Sequence, residues 1–169
     1  DPAMNDVPQG EVGEIVYRGP TMMLGYWNRP EATRDAFEGG WFHSGDLVRE
    51  DDEGFIYVVD RLKDMLISGG ENIYCAEVEA AVQSHPAVLE AAVIGRPHEK
   101  WGEVPVVVVA PNPGTELTEG ELLEWTRDKL AKYKQPKAVH FVEALPRNAS
   151  GKVTKPVLRE EYADAKPTD

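Results

Sequence analysis

The stretch from residue 60 to residue 72 most constrains how this chain can fold. It begins with four residues of which three are charged, passes through an apolar run at 65–67, and closes on Gly69 and Gly70. The apolar run has the length of a strand, and glycines accept positive φ and let another group approach the backbone closely. The residues alone permit three interpretations, namely a hairpin with a Gly-Gly turn, a joint between two regions, or a ligand-binding loop.

Short β segments separated by glycine turns precede this stretch. The pattern predicts strands at 13–19, 41–48 and 55–59, with a single helical turn at 32–37. Three strands in about sixty residues bury little apolar surface. We therefore expect this part to belong to a larger domain and the chain to begin inside it.

Strands and helices alternate after this stretch. Four consecutive valines at 106–109 indicate a strand that is covered on both faces, and Thr118 with Glu121 fits a capping box at the start of a helix. The remaining expected elements are a helix at 76–84, strands at 88–94 and 139–142, a hairpin or loop at 145–155, and a terminal helix near Pro156. The predicted fold class is α+β, with a short antiparallel segment followed by a small α/β domain whose central sheet has flanking helices.

The distribution of charge argues against one class of partner. The 169-residue chain has a net charge of −12, whereas residues 127–159 hold nine basic and two acidic side chains, a local net charge of +7. An acidic protein with one basic stretch is a poor candidate for binding nucleic acid. The stretch either attracts a small polyphosphate or forms a solvated basic face, and composition leaves both interpretations open.

Several other classes are excluded by what the sequence lacks. No apolar run approaches the length of a membrane span and no signal peptide is visible, which favours a cytoplasmic location, at most peripheral to a membrane. The single cysteine, Cys75, cannot form an internal disulfide, and we interpret it as a small buried apolar residue. No His or Cys spacing indicates a metal site.

The central stretch resembles the hinge motif of the adenylate-forming enzymes. Residues 61–64 are Arg-Leu-Lys-Asp, and residues 68–74 are Ser-Gly-Gly-Glu-Asn-Ile-Tyr. The Ser-Gly-Gly-Glu-Asn form resembles the acyl-CoA synthetase branch of that superfamily. The resemblance implies that Arg61 contacts the nucleotide and that Lys63 is the hinge residue. It also implies that a loop lines the pantetheine tunnel of CoA, formed by Gly69, Gly70 and Glu71.

Residues 41–46 resemble the aromatic-x-Thr-Gly-Asp motif of the same superfamily, with Ser44 in place of the threonine. By this resemblance, Asp46 accepts hydrogen bonds from the ribose hydroxyls of ATP, a task that suits a carboxylate because it accepts from both hydroxyls of a diol. Residues 13–26 resemble a strand pair near the end of the large domain. We expect only a structural role there.

Two further motifs concern CoA and catalysis. Trp101 resembles a tryptophan near the CoA arm, although a partly buried surface side chain explains it equally well. The segment with Lys132, Tyr133 and Lys134 is similar to one that meets the CoA nucleotide, where lysines supply counter-charge and tyrosine stacks on adenine. Residues 146–152 resemble the terminal catalytic-lysine motif, which implies that Lys152 offsets the charge that builds during adenylation.

The motifs absent from the chain complete the prediction. The superfamily's phosphate loop, its aromatic-Gly-x-Thr-Glu motif for Mg²⁺ and its acyl pocket have no counterpart here. We thus expect residues 1–62 to end a large domain and residues 63–169 to form a mobile lid. The implied activity is ATP- and Mg²⁺-dependent ligation of a fatty or similar apolar carboxylic acid to CoA, with the chain inactive alone. The alternatives are an enzyme that loads a carrier-protein pantetheine, and a non-catalytic lid or interaction module.

Overall fold

The computed structural model describes residues 1–163, which fall into two compact units. The first unit ends at Lys63 and the second begins at Asp64, one residue beyond the expected boundary. Antiparallel strands dominate both units and the helices are short, which confirms the predicted α+β class. No helix within the described residues is both long and apolar enough to cross a membrane.

The first unit is a three-stranded antiparallel sheet in the order β1-β2-β3. Its elements are β1 (Val12–Tyr17), α1 (Pro30–Ala36), β2 (Phe42–Glu50) and β3 (Ile56–Arg61). The three predicted strands are confirmed, but β2 and β3 each end two residues later than expected, so that β3 includes Arg61. The helix is also longer than the single turn expected, because Pro30 suits its first turn. Within residues 1–63 the buried side chains are Leu47 and Asp60, so the core is thin, as predicted.

The second unit contains a five-stranded sheet. Its strands are β4 (Leu66–Ser68), β5 (Glu71–Ile73), β6 (Val88–His98), β7 (Gly102–Pro111) and β8 (Val139–Phe141). The order β5-β4-β7-β6 is antiparallel throughout, and β8 pairs with β7 in parallel. The helices are α2 (Cys75–Gln83), α3 (Glu119–Arg127) and α4 (Lys155–Glu161), with a 3₁₀ turn at Lys132–Lys134.

Local sequence explains where α3 begins. The Thr118 hydroxyl oxygen accepts from the Glu121 backbone N–H, and the Glu121 carboxylate accepts from the Thr118 N–H at 2.9 Å. This capping box was predicted and is confirmed. A cap of this kind stabilises a helix by about 1 kcal/mol, because it satisfies N–H groups that have no partner inside the helix.

The valine run lies at the centre of the core. Val107 and Val109 pack with the α2 and α3 side of the sheet, whereas Val106 and Val108 pack with Leu158 of α4 on the other side. Successive residues of a strand point to opposite faces, so helices on both faces bury all four valines. The expectation of a strand buried on both faces is confirmed.

Candidate functional site

The first unit brings together the two residues expected at the nucleotide. Asp46 on β2 and Arg61 on β3 are register partners. The Arg61 Nε atom lies 3.2 Å from the Asp46 Oδ1 atom, and the two side chains are 56% and 32% exposed respectively. A ligand can therefore reach both charged groups, and the ion pair restrains the direction of the Asp46 carboxylate.

The turn that precedes Asp46 depends on the serine that replaces the usual threonine. The Ser44 hydroxyl donates to the carbonyl of Ile15 at 2.6 Å and accepts from the Asp46 N–H at 3.0 Å. Gly45 has a φ of +72°, which a residue with a side chain adopts only under strain. Ser44 thus retains the hydroxyl contacts that place the backbone of Asp46.

A second contact to this turn comes from β1 and was missed by the sequence reasoning. The Glu14 Oε1 atom accepts from the Gly45 N–H at 2.8 Å, and its Oε2 atom lies 2.7 Å from His43 Nδ1. The hydrogen bond to Glu14 raises the pKa of His43 above its ordinary value, more than burial lowers it. The only signal in the sequence was the Gly-Glu pair of the strand motif, which does not reveal its cross-strand partner.

In the second unit, the Gly-Gly pair forms the turn of the β4–β5 hairpin. Ser68 pairs with Glu71, and Gly69 and Gly70 have φ values of +60° and +88°. Positive φ at both central residues is typical of the two-residue type I′ turn. The hairpin interpretation is confirmed, and it is compatible with a ligand-binding loop.

The two glycines have different surroundings. The Gly69 N–H donates to the Trp101 carbonyl at 2.8 Å, and a Cβ atom on Gly69 would lie 2.9 Å from Trp101 Cε3. A Cβ atom on Gly70 would meet no atom within 4 Å. The absence of a side chain at Gly69 therefore allows the indole to lie against the turn, while Gly70 serves the backbone conformation.

A cavity of about 530 Å³ opens beside this turn. Five of the residues predicted to bind CoA line it, namely Gly69, Glu71, Trp101, Lys132 and Tyr133. The rings of Trp101 and Tyr133 are 40% and 42% exposed, so both offer aromatic surface to a ligand. The volume lies within the usual range for small-molecule sites. Trp101 is thus a packed surface side chain and a cavity wall at once.

Gly70 and Lys134, the other two residues predicted to bind CoA, do not line the cavity. The Lys134 Nζ atom is 2.8 Å and 2.7 Å from the two carboxylate oxygens of Glu77 on α2, and 5.6 Å from the centre of the Tyr133 ring. Burial lowers the pKa of Lys134, but Glu77 and Tyr133 together raise it, and the net shift is upward. The charge of Lys134 is therefore matched within the protein.

The basic stretch as a whole is more neutral than its sequence indicates. Five of its nine basic side chains form ion pairs, which are Arg127–Glu124, Lys134–Glu77, Arg147–Glu90, Lys155–Glu79 and Arg159–Asp64. All five acidic partners lie outside residues 127–159, so a local count of charge misses them. Within residues 1–163, neither Lys132 nor Lys152 forms an ion pair.

Lys152 lies on a tight loop that is organised by one asparagine. The Asn148 Oδ1 atom accepts from the Ser150 N–H at 3.1 Å, the Ser150 hydroxyl at 2.8 Å and the Lys152 N–H at 2.9 Å. Gly151 takes a φ of +80° within this loop, and Lys152 is exposed. The loop backbone is thus fixed while the lysine side chain faces outward.

Arg147 fastens this loop to the sheet. Its guanidinium donates to the Gly151 carbonyl and to the Glu90 carboxylate of β6, both at 2.6 Å. Glu90 lies near one end of the β6–β7 hairpin, and Trp101 lies in the connection at the other end. The eight steps from Glu90 to His98 span about 26 Å, at about 3.3 Å for each step along a strand. The lysine loop and the cavity are therefore at opposite ends of one sheet.

The proposed hinge lies where the two units meet in sequence. Lys63 is exposed, and the next residue, Asp64, pairs through its Oδ1 atom with Arg159 of α4 at 2.8 Å. The Asp64 carbonyl also accepts from the thiol of the fully buried Cys75 at 2.8 Å. Over residues 1–163, no cluster of three or more His, Cys, Asp and Glu side chains is placed to hold a metal ion.

Comparison with known proteins gives one family. Residues 77–152 match the model of the AMP-binding enzyme C-terminal domain. The chain is 52% identical over 155 residues to the long-chain-fatty-acid–CoA ligase FadD13 of Mycobacterium tuberculosis, a match that covers 92% of this chain and 31% of that protein. It is also 52% identical over 161 residues to the feruloyl-CoA synthase of an Amycolatopsis species, covering 95% and 33%.

The solved structures agree with the sequence matches. The chain resembles the ATP-bound MatB of Rhodopseudomonas palustris with a TM-score of 0.86 and 43% identity, over 94% of this chain and 32% of that one. The chain thus spans about a third of the length of the relatives that it matches.

Proposed function

We propose that this chain, whose residues 77–152 match the AMP-binding enzyme C-terminal domain, forms the C-terminal part of an AMP-forming acid–CoA ligase. In the first step, a carboxylate attacks the α-phosphate of ATP and gives an acyl-adenylate and pyrophosphate. In the second step, the thiol of CoA attacks the acyl carbon and releases AMP.

The observation that carries this proposal is the placement of two features at opposite ends of the second unit. The Lys152 loop is fastened near Glu90, and the cavity lies beside Trp101, about 26 Å along the same strand pair. A rigid unit with this layout presents one end at a time to a common reaction centre. This supports the predicted rotation of a lid, residues 63–169, about Lys63 between the two steps.

The first step would use residues from both units. Asp46 accepts hydrogen bonds from the ribose hydroxyls, and Arg61 holds that carboxylate while its guanidinium remains half exposed to the nucleotide. Lys152 offsets the negative charge that builds when a carboxylate approaches the phosphates. ATP would enter with Mg²⁺, whose ligands we place in the part of the ligase outside this chain.

The second step would use the cavity. A thin pantetheine arm suits a cavity whose wall contains the bare backbone of Gly69 and the ring of Trp101, with Gly70 as the next residue of the same turn. Glu71 lines the same cavity, Tyr133 offers a ring for stacking, and Lys132 offers a charge that forms no ion pair within residues 1–163. We assign Lys134 an indirect role, because Glu77 already binds its ammonium.

The acid substrate is proposed as a class. The chain is equally similar to a relative named for long-chain fatty acids and to one named for feruloyl-CoA, at 52% identity each. Identity over these residues therefore does not separate the two acids. We propose an apolar carboxylic acid, with fatty acids as the first series to test.

The test uses the whole ligase that contains this chain, with ATP, Mg²⁺, CoA and a series of acids from short to long fatty acids and ferulate. We expect acid-dependent release of pyrophosphate, followed by AMP and an acyl-CoA detected by mass spectrometry. The 169-residue chain alone is the control, and we expect it to release no pyrophosphate. Acyl transfer to a carrier protein but not to CoA would favour the carrier-loading alternative, and no acid-dependent pyrophosphate would contradict the proposal.

A further inference from the structure

We propose that Glu14 is a positioning residue for the nucleotide site, because its carboxylate holds the turn that presents Asp46. This inference rests on the proposed role of Asp46 in binding the nucleotide. Glu14 lies on β1, in a segment for which the sequence predicts only a structural role. The structure assigns it a second function that acts through the backbone of β2.

The register of β1 and β2 explains why the turn needs help from a side chain. Glu14 pairs with Leu47 and Val16 pairs with His43, so one residue of β1 lies opposite three residues of β2. The segment 44–46 therefore bulges from the ladder, and β1 lacks the backbone partners to match it. Bulges of this kind redirect side chains and are common beside active sites.

Side chains supply the hydrogen bonds that the ladder lacks. The Glu14 Oε1 atom accepts from the Gly45 N–H at 2.8 Å, and the Ser44 hydroxyl links the Ile15 carbonyl to the Asp46 N–H. On the opposite side, the Gly45 carbonyl accepts from the Leu62 N–H at 2.8 Å on the β3 side. The residue before Asp46 is thus held from both neighbouring strands.

His43 in turn holds the Glu14 carboxylate. Its Nδ1 atom lies 2.7 Å from Glu14 Oε2, and its Nε2 atom lies 3.3 Å from the Glu38 carbonyl. The side chains of His43 and Glu14 are only 24% and 18% exposed, so water competes weakly for these contacts. A carboxylate can accept from Gly45 and His43 at once, one donor on each oxygen.

Two substitutions of Glu14 are expected to differ in their effect on the turn. Glu14→Gln keeps one carbonyl oxygen for the Gly45 N–H and loses the charge that faces His43. Glu14→Ala removes both acceptors and leaves the Gly45 N–H without its cross-strand partner. Positioning by the carboxylate therefore predicts a graded series, with alanine more severe than glutamine. Glu53→Ala is a charge-matched control, because Glu53 is exposed in the turn between β2 and β3.

The first measurement tests the contact without reference to activity. Amide hydrogen exchange of the whole ligase is followed by mass spectrometry on the peptide that contains residues 42–47. We expect faster exchange at Gly45 in Glu14→Ala, an intermediate rate in Glu14→Gln, and the parent rate in Glu53→Ala. Parent-like protection in Glu14→Ala would overturn the proposal whatever the role of Asp46.

The second measurement tests whether Glu14 acts through Asp46. We expect Glu14→Ala to raise the KM for ATP about tenfold, as for the loss of one hydrogen bond to a charged group. The KM values for the acid and CoA should not change. In an Asp46→Ala background the same substitution should have little further effect. An equal effect in both backgrounds, or a parallel rise of all three KM values, would show a general structural role and overturn the inference.

The two measurements separate this inference from the proposed function. If Asp46→Ala alone leaves the KM for ATP unchanged, the nucleotide role of Asp46 fails, and the positioning role of Glu14 fails with it. The exchange result then still reports whether Glu14 holds the turn. If Asp46→Ala raises the KM for ATP but Glu14→Ala does not, the proposed function stands and the positioning role is excluded.

Discussion

Two glycine turns at opposite ends of the second unit are built alike and offer different chemistry. The turn at Gly69 and Gly70 is held by the Trp101 carbonyl and lies against the indole ring. The loop at 148–151 is held by the Asn148 side chain and by Arg147, which reaches Glu90. Both use residues with positive φ to reverse the chain within a few residues.

The difference lies in what each turn leaves available to a ligand. Beside the first turn, a ligand meets bare backbone and aromatic rings, which suit a thin neutral arm. At the second, it meets the exposed ammonium of Lys152, which makes no ion pair within residues 1–163. Such a group suits a step in which negative charge increases. Under the proposed function, each turn would serve one of the two reactions, because its internal contacts leave a different group exposed to a ligand.

The largest expected effect comes from removing the charge of Lys152, which tests whether the two turns differ in function. Lys152→Ala should slow adenylation by about 10²–10³, the usual cost of losing one group that stabilises transition-state charge. The same variant should convert pre-formed acyl-adenylate and CoA to acyl-CoA at a parent-like rate. Single-turnover kinetics of each half-reaction measures both.

Lys129→Ala is the matched control for that experiment, because the Lys129 ammonium lies on the ring of Trp125, 3.8 Å from its centre, on α3. We expect it to leave both half-reactions unchanged. If Lys152→Ala slows the two half-reactions equally, the two ends of the sheet do not serve separate steps.

A second experiment alters the other end with a pair of neighbouring substitutions. Gly69→Ala and Gly70→Ala both force a side chain into left-handed backbone, at a cost of about 1–2 kcal/mol each. Only the Gly69 variant also displaces Trp101. We expect thioester formation to be about tenfold slower in Gly69→Ala than in Gly70→Ala, equivalent to about 1.4 kcal/mol.

Acyl-adenylate should accumulate in the Gly69 variant, and rapid-quench analysis of that intermediate is the measurement. Similar rates in the two alanine variants would mean that the indole does not shape the path of CoA.

The smallest expected effect distinguishes the two lysines of the 3₁₀ turn. Lys132→Gln should raise the KM for CoA about two- to fivefold, the range of one partly exposed ion pair, and the effect should shrink at high salt. Lys134→Gln should leave that KM unchanged and lower the free energy of unfolding by about 1 kcal/mol, because it breaks the partly exposed pair with Glu77. Steady-state kinetics at two ionic strengths and urea unfolding measure these effects. If Lys134→Gln raised the KM for CoA as much as Lys132→Gln, Lys134 would have to be counted among the residues that bind CoA.

The sequence predicted those features whose cause is local. The capping box at Thr118 and the turn at Gly69 depend on residues within a few positions, and the valine run reports burial on both faces directly. Strand ends were less predictable. We expected β6 to end at residue 94, before Gly95 and Pro97. The structure continues it to His98, since β6 is an edge strand, where proline is tolerated.

The contacts that position the site could not be read from the sequence. Glu14 and Gly45 are 31 positions apart, and the Arg147–Glu90 and Lys134–Glu77 contacts each span 57 positions. These pairs exist because strand register and helix packing place them together. For the same reason the basic stretch looked more positive than it is. The roles proposed for Asp46 and Lys152 come from their motifs and stay predictions.

The two attachments of Asp64 have a mechanical consequence. A rotation at a hinge moves a domain as one body only if the segment next to the hinge is rigid. Asp64 is held through its carboxylate by Arg159 and through its carbonyl by the thiol of Cys75. If the chain rotates at Lys63, we therefore expect α4 and the sheet to move together as one rigid body. Arg159 thus stabilises the segment next to the proposed hinge, although Asp64 lies 95 positions earlier in the chain. Loss of the contact between Arg159 and Asp64 would make the orientation of both turns less precise at once, although neither turn is itself altered.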